Sequence, residues 1–155
     1  MKDGNLNEKI HSSMYHQCQK RGYATPVDVL MEIGALSKKK YEDWRFGKVT
    51  YLESVCTVNL RTLSTILHQM RVYAKKTGLK PSFCYYKQWG TKKRDGQGEK
   101  KIIPLQFSKS GNPDVEKWYA THFVDIKRIQ EIKDNPNLGM PEGTHYNMGK
   151  YGLMW

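Results

Sequence analysis

Lys87, Lys92, Lys93, Arg94, Lys100 and Lys101 crowd into residues 87–101, and Phe83, Tyr85, Tyr86 and Trp89 lie among or just ahead of them. Residues of these types do one kind of chemistry well. Ammonium and guanidinium groups hold phosphates, while flat aromatic rings stack on unpaired bases. The charge around them agrees. Residues 51–101 carry 11 Lys and Arg against 3 Asp and Glu, whereas residues 1–50 carry 9 against 6 and residues 102–155 carry 6 against 6. Charge gathered into one segment makes a local field that draws a polyanion, and each phosphate neutralised releases condensed counterions. The plain alternative is a solvated basic loop beside aromatics of which about half face a core, because a strand alternates its faces.

A second basic group lies upstream. Ser37 is a good helix N-cap, and Lys38, Lys39 and Lys40 follow it in what would be the first turn. Three cations there oppose the helix dipole, a local cost that a bound anion relieves. Tyr41 and Trp44, three residues apart, share a face that turns inward and leaves the lysines and Arg45 exposed. The stretch VDVLMEIGALSKKKYEDWRFGKVTYLE, residues 27–53, resembles the helix-turn-helix units of bacterial and phage regulators. Leu36, Ser37, Tyr41, Trp44 and Gly47 match that pattern. Ala35 takes the usual glycine position with Gly34 one residue early, and Met31 stands where a small residue is usual. The resemblance implies that Lys38, Lys39, Lys40 and Glu42 or Arg45 face the major groove. Arg61, Arg71, Lys75 and Lys76, on the polar faces of the next helix, complete the candidate phosphate contacts. The plain alternative is an ordinary helical hairpin with solvated lysines.

Pro113-Asp114, followed by Asp125-Ile126-Lys127, is similar to the PD-(D/E)xK pattern of restriction-type nucleases. That resemblance implies two carboxylates on a divalent metal, with Lys127 orienting the attacking water. Glu131 and Lys133 are a second possible pair. The pattern needs strands, however, and Asn112–Ala120 reads as a helix start, where Asp114 is only a favourable acid near the N-terminus.

His11, His16 and Cys18 lie close in sequence, and Cys56, Cys84 and His122 are further potential ligands. Zinc sites show ligand pairs two to four residues apart, twice over, and that pairing is missing, so no metal is expected. No glycine-rich phosphate loop, nucleophile elbow or dinucleotide fingerprint is present, so no cofactor is expected. Three scattered cysteines argue for free thiols and a reducing, cytoplasmic setting. No apolar run approaches the roughly 18 residues of a membrane span, and MKDGNLNEKI lacks the apolar stretch of a secretory signal.

The elements that must position these groups read as an α+β fold. Residues 1–24 form a polar N-terminal segment with a weak helix around Glu8–Lys20. Residues 25–133 form one domain, opening with a small helical bundle over about residues 25–77. Its first helix starts at Thr25-Pro26, presents Val27, Leu30 and Met31, and ends at Gly34. Tyr51–Val58 is read as a short helix, with an extended piece as the alternative. Asn59 caps the best helix, Leu60–Thr77, whose Leu60, Leu63, Ile66, Leu67, Met70, Tyr73 and Ala74 recur at helical spacing before Gly78. Ser82–Trp89 and Ile102–Ser108 then pair as a β-hairpin with a basic tip, Pro104 lying at an edge or bulge. Val115–Ile132 is read as a C-terminal helix, with Thr121–Ile126 a possible strand instead. Residues 134–155 form an irregular tail anchored by Tyr151, Leu153 and Trp155. The expected function is non-enzymatic binding of nucleic acid, double-stranded DNA before RNA, in a bacterial or phage-type protein. The alternatives are a small interaction or inhibitor module that meets an acidic protein surface, and third, the metal-dependent nuclease.

Overall fold

The computed structural model describes residues 3–91 and 102–138. Over these the chain is α+β, with six α-helices and a three-stranded antiparallel sheet. The helices are α1 (Asp3–Arg21), α2 (Pro26–Glu32), α3 (Lys38–Arg45), α4 (Leu60–Thr77), α5 (Pro113–Ala120) and α6 (Ile126–Asp134). The strands are β1 (Tyr23–Ala24), β2 (Lys80–Phe83) and β3 (Thr121–Val124), in the order β1-β3-β2. Tyr23 pairs with Val124 on one side of β3, and Lys80 and Ser82 pair with Val124 and His122 on the other.

The helix boundaries follow local chemistry. Thr25 Oγ1 accepts the Asp28 amide at 3.0 Å, with Pro26 at the first helical position. Ser37 Oγ accepts the Lys40 amide at 3.2 Å and opens α3. Asn59 Oδ1 accepts the Thr62 amide at 2.8 Å, and Gly78, at φ +75°, closes α4 in the left-handed region. Leu63, Ile66, Leu67, Met70 and Ala74 are buried. Leu60 is not: it stands at the first position of α4, before the helix reaches the core, and is exposed.

The N-terminal segment departs from its polar reading. Leu6, Ile10, Met14 and Cys18 recur every four residues and form a buried stripe along α1, which packs against α4. Polar residues fill the gaps, so the segment looks soluble while one narrow face is core. The end of α1 is tied to α2 by the buried Arg21 guanidinium, which donates to Asp28 at 2.6 Å and Gln17 at 2.7 Å and lies 4.2 Å over the Tyr23 ring. The buried faces of α1, α2, α3 and α4 belong to one apolar cluster.

Two other expectations are corrected. The stretch Tyr51–Val58 forms only a short 3-10 turn, Leu52–Val55, consistent with its β-branched residues. Over Val115–Ile132 the strand alternative holds in part: β3, the central strand, held by partners on both sides, separates α5 from α6. β2 falls at Lys80–Phe83, earlier than the expected Ser82–Trp89, because its partner is β3. Beyond it, Tyr86–Gln88 and Ile103–Leu105 run antiparallel: the Gln88 amide donates to Ile103 O at 2.8 Å and the Leu105 amide to Tyr86 O at 3.0 Å. We call Cys84–Thr91 the aromatic arm. No helix among the described residues is long and apolar enough to cross a membrane.

Candidate nucleic-acid interface

Trp44 is the anchor around which the candidate residues are arranged. It is 0% exposed, and its indole Nε1–H donates to Gln106 O at 2.8 Å. Its ring lies 5.0 Å from Phe107, 5.6 Å from Tyr86 and 6.2 Å from Tyr41. The inward face of α3 is therefore bound to the aromatic arm and to the strand-like segment that returns from it. The Trp89 amide donates to Arg45 O at 2.6 Å, using a carbonyl left open at the helix end. Gly47, at φ +76°, lies against Gln88; a Cβ there would meet Gln88 Oε1 at 2.4 Å. Trp89 stands edge-on to Tyr41 at 5.8 Å and to Phe46 at 5.5 Å.

This packing leaves Lys38, Lys39 and Lys40 exposed on the first turn of α3. Asp43, half-buried, approaches the exposed Lys39 ammonium at 3.7 Å, a long contact worth little. Lys48, absent from the sequence-based set, is exposed just past Gly47. Lys87 is exposed on the arm. The expected exposure of Arg45 is corrected. Its guanidinium lies 4.5 Å over Trp89 and 5.0 Å over Tyr86, and its Nε is buried with no acceptor among the described residues. Arg45 joins helix to arm through cation–π contact. Its rings come from 41 and 44 positions downstream (Tyr86 and Trp89), so nothing local in sequence signals them.

The remaining basic candidates divide. Arg61 is exposed at the start of α4, and Lys75 and Lys76 are exposed at its end, where they complement the helix dipole. Arg71 is half-buried, 4.3 Å over the Trp118 ring, and desolvation lowers its pKa from the ordinary arginine value. It is a packing residue rather than a free phosphate contact. Lys92, Lys93, Arg94, Lys100 and Lys101 lie outside the described residues.

The nuclease residues occupy helix starts instead of strands. Asp114 is exposed in the first turn of α5. Asp125 caps α6, accepting the Arg128 amide at 3.0 Å, and Lys127 is exposed in that helix. Glu131 pairs with Arg128 at 3.2 Å, and Lys133 is exposed in the last turn. Among the described residues, no three His, Cys, Asp or Glu gather as a metal site would require. His11 stacks on Tyr73 at 5.0 Å, and His16 is exposed beside Tyr15. His122 is buried with its Nε2 3.0 Å from the Tyr86 hydroxyl. Burial holds that hydroxyl well above the ordinary tyrosine value, so it stays protonated. Cys18 and Cys84 are buried, Cys56 is half-buried, and all three are free thiols. Comparison with protein-family models, with characterised proteins and with solved structures gives no match.

Proposed function

We propose that the protein binds double-stranded DNA without catalysing a reaction, that α2 and α3 act as a helix-turn-helix, and that the aromatic arm acts as a basic wing. One observation carries this reading: the arm that leads into the basic stretch of residues 92–101 is fastened to the C-terminal end of α3. Two segments that lie apart in sequence, α3 and the arm, are thereby joined. Helix α3 has 8 residues, so its first-turn lysines lie only about 12 Å along the axis from the docked arm. In this reading the lysines of α3 meet the major groove and adjacent phosphates, while Lys87 and the basic residues that follow the arm in sequence grip the backbone. The setting is a bacterial or phage-type cytoplasmic protein.

The test is a mobility-shift assay on duplex DNA at low salt. Lys38→Gln, Lys39→Gln and Lys40→Gln combined should weaken duplex binding strongly with an unchanged far-ultraviolet circular dichroism spectrum, since all three side chains are exposed. Reversal of Lys92, Lys93 and Arg94 to Glu should weaken it independently. Absence of duplex binding by the wild-type protein at low salt sinks the reading.

A further inference from the structure

On the side of the aromatic arm away from α3, an open, largely apolar groove of about 550 Å³ runs between Phe83–Tyr86, Leu105 and the face of α5 bearing Lys117. Its size falls in the range of about 300–1,000 Å³ common for sites that take a ring-sized ligand. Its wall carries a feature the core does not explain. Tyr85 is 75% exposed and Phe83 43% exposed, and their rings stand edge to face at 4.8 Å. Adjacent aromatics left this open on a basic protein form a surface that awaits a flat partner. Tyr86 lines the groove on one side and contacts Trp44 and Arg45 on the other, so the groove is one ring's thickness from the helix described above.

Resting on the DNA-binding reading, we infer that this groove receives an unpaired DNA base, so that the protein prefers duplex interrupted by unpaired nucleotides to continuous duplex. Charge selects this occupant over an apolar peptide. Lys117 lines the groove and is exposed, and Lys87 is exposed one residue beyond Tyr86. The acid in the wall, Glu116, is turned inward and engaged: it accepts the Phe107 amide at 2.9 Å, the Ser108 amide at 2.7 Å and the Ser108 hydroxyl at 2.6 Å. A phosphate at the rim thus meets ammonium groups and a carboxylate already committed to the protein. An extruded base stacks on Tyr85 irrespective of its identity, because every base has a π face.

The experiment compares fluorescence anisotropy of a duplex with that of the same duplex carrying a short unpaired stretch, using wild type, Tyr85→Ala, Phe83→Ala and Tyr85→Phe. Wild type should favour the interrupted duplex by roughly tenfold, the worth of one stacked base. Tyr85→Ala and Phe83→Ala should lose that preference and bind the two DNAs equally, while Tyr85→Phe retains the preference. A 2-aminopurine base in the unpaired stretch should be quenched by wild type and not by Tyr85→Ala. Equal affinity of wild type for the two DNAs, or a preference that survives Tyr85→Ala, overturns the groove and leaves the duplex reading intact. Binding to unpaired DNA without binding to continuous duplex keeps the groove and removes α3 from the interface. A concentration-dependent dimer that Tyr85→Ala dissolves would assign the groove to a second copy of the chain and overturn the inference.

Discussion

Replacing Trp44 with Ala removes the side chain on which the arrangement of α3 and the aromatic arm depends. Truncating a buried large aromatic costs about 3–5 kcal/mol, the spread reflecting how far the site can collapse. Here collapse is opposed. Phe107 is held by a parallel stack on Tyr119 at 5.4 Å, and the Tyr86 hydroxyl sits 3.0 Å from His122 Nε2. The lost indole hydrogen bond adds little, because Gln106 O also accepts the Leu52 amide at 3.2 Å and is not orphaned. The expected loss is therefore at the upper end, about 4–5 kcal/mol, a large part of the roughly 5–15 kcal/mol that stabilises a domain. In urea, with a slope near 2 kcal/mol per molar, the midpoint should fall by about 2 M. Trp44→Phe keeps a ring against its neighbours and should cost only about 1–2 kcal/mol. Two results would refute the reasoning: a loss below about 1.5 kcal/mol for the Ala variant, or equal losses for Ala and Phe.

Gly22→Ala should destabilise by at least about 1–2 kcal/mol from its left-handed backbone alone. Its φ is +86° and a Cβ would lie 2.3 Å from Ile129 Cγ1, so Ile129→Ala should recover part of the loss in a double-mutant denaturation cycle. Asp125→Ala should cost about 0.5–2 kcal/mol as a lost N-cap, and Asp125→Asn close to nothing; Mg²⁺-dependent DNA cleavage abolished by the Asn variant would instead restore the nuclease reading. Burial pushes the Cys18 thiol from 9.0 up to about 12 and that of Cys56 from 9.0 up to about 11. Unfolded thiols ionise first as pH rises, so the stability these groups contribute is complete below pH 9 and is lost between pH 9 and about 12. Denaturation at stepped pH should show that decline, less steep in Cys18→Ala; an unchanged decline would mean other groups cause it.

The legible parts of the fold were those whose signals are local. Asn59, the apolar spacing of α4 and Gly78 bounded that helix to the residue, because cap, periodicity and C-terminal glycine all agree. Thr25 and Ser37 were legible for the same reason. Helix α1 was legible only as a weak helix around Glu8–Lys20, and its place in the core was not, since its four buried anchors are separated by polar residues and its burial comes from α4, far along the chain. Strand β3 was ambiguous because four residues between two helices become a strand only through pairing with β1 and β2. The candidate site divides likewise. The exposure of Lys38–Lys40 and the burial of Trp44 follow from spacing, but the stacking of Arg45 on Trp89 and of Arg71 on Trp118 does not. A long arginine stem can reach a ring that only the folded chain brings near.

The most direct test of duplex binding through α3 is the slope of log affinity against log salt for a continuous DNA duplex. Each neutralised phosphate contributes about −0.9, so contacts from α3 and the arm, about four to eight in number, predict a slope of about −4 to −7. The combined Gln variant at Lys38, Lys39 and Lys40 should be shallower by about 2–3, since each lysine lost removes about one phosphate contact. A wild-type slope shallower than about −1, or a slope that the Gln substitutions leave unchanged, would contradict the account.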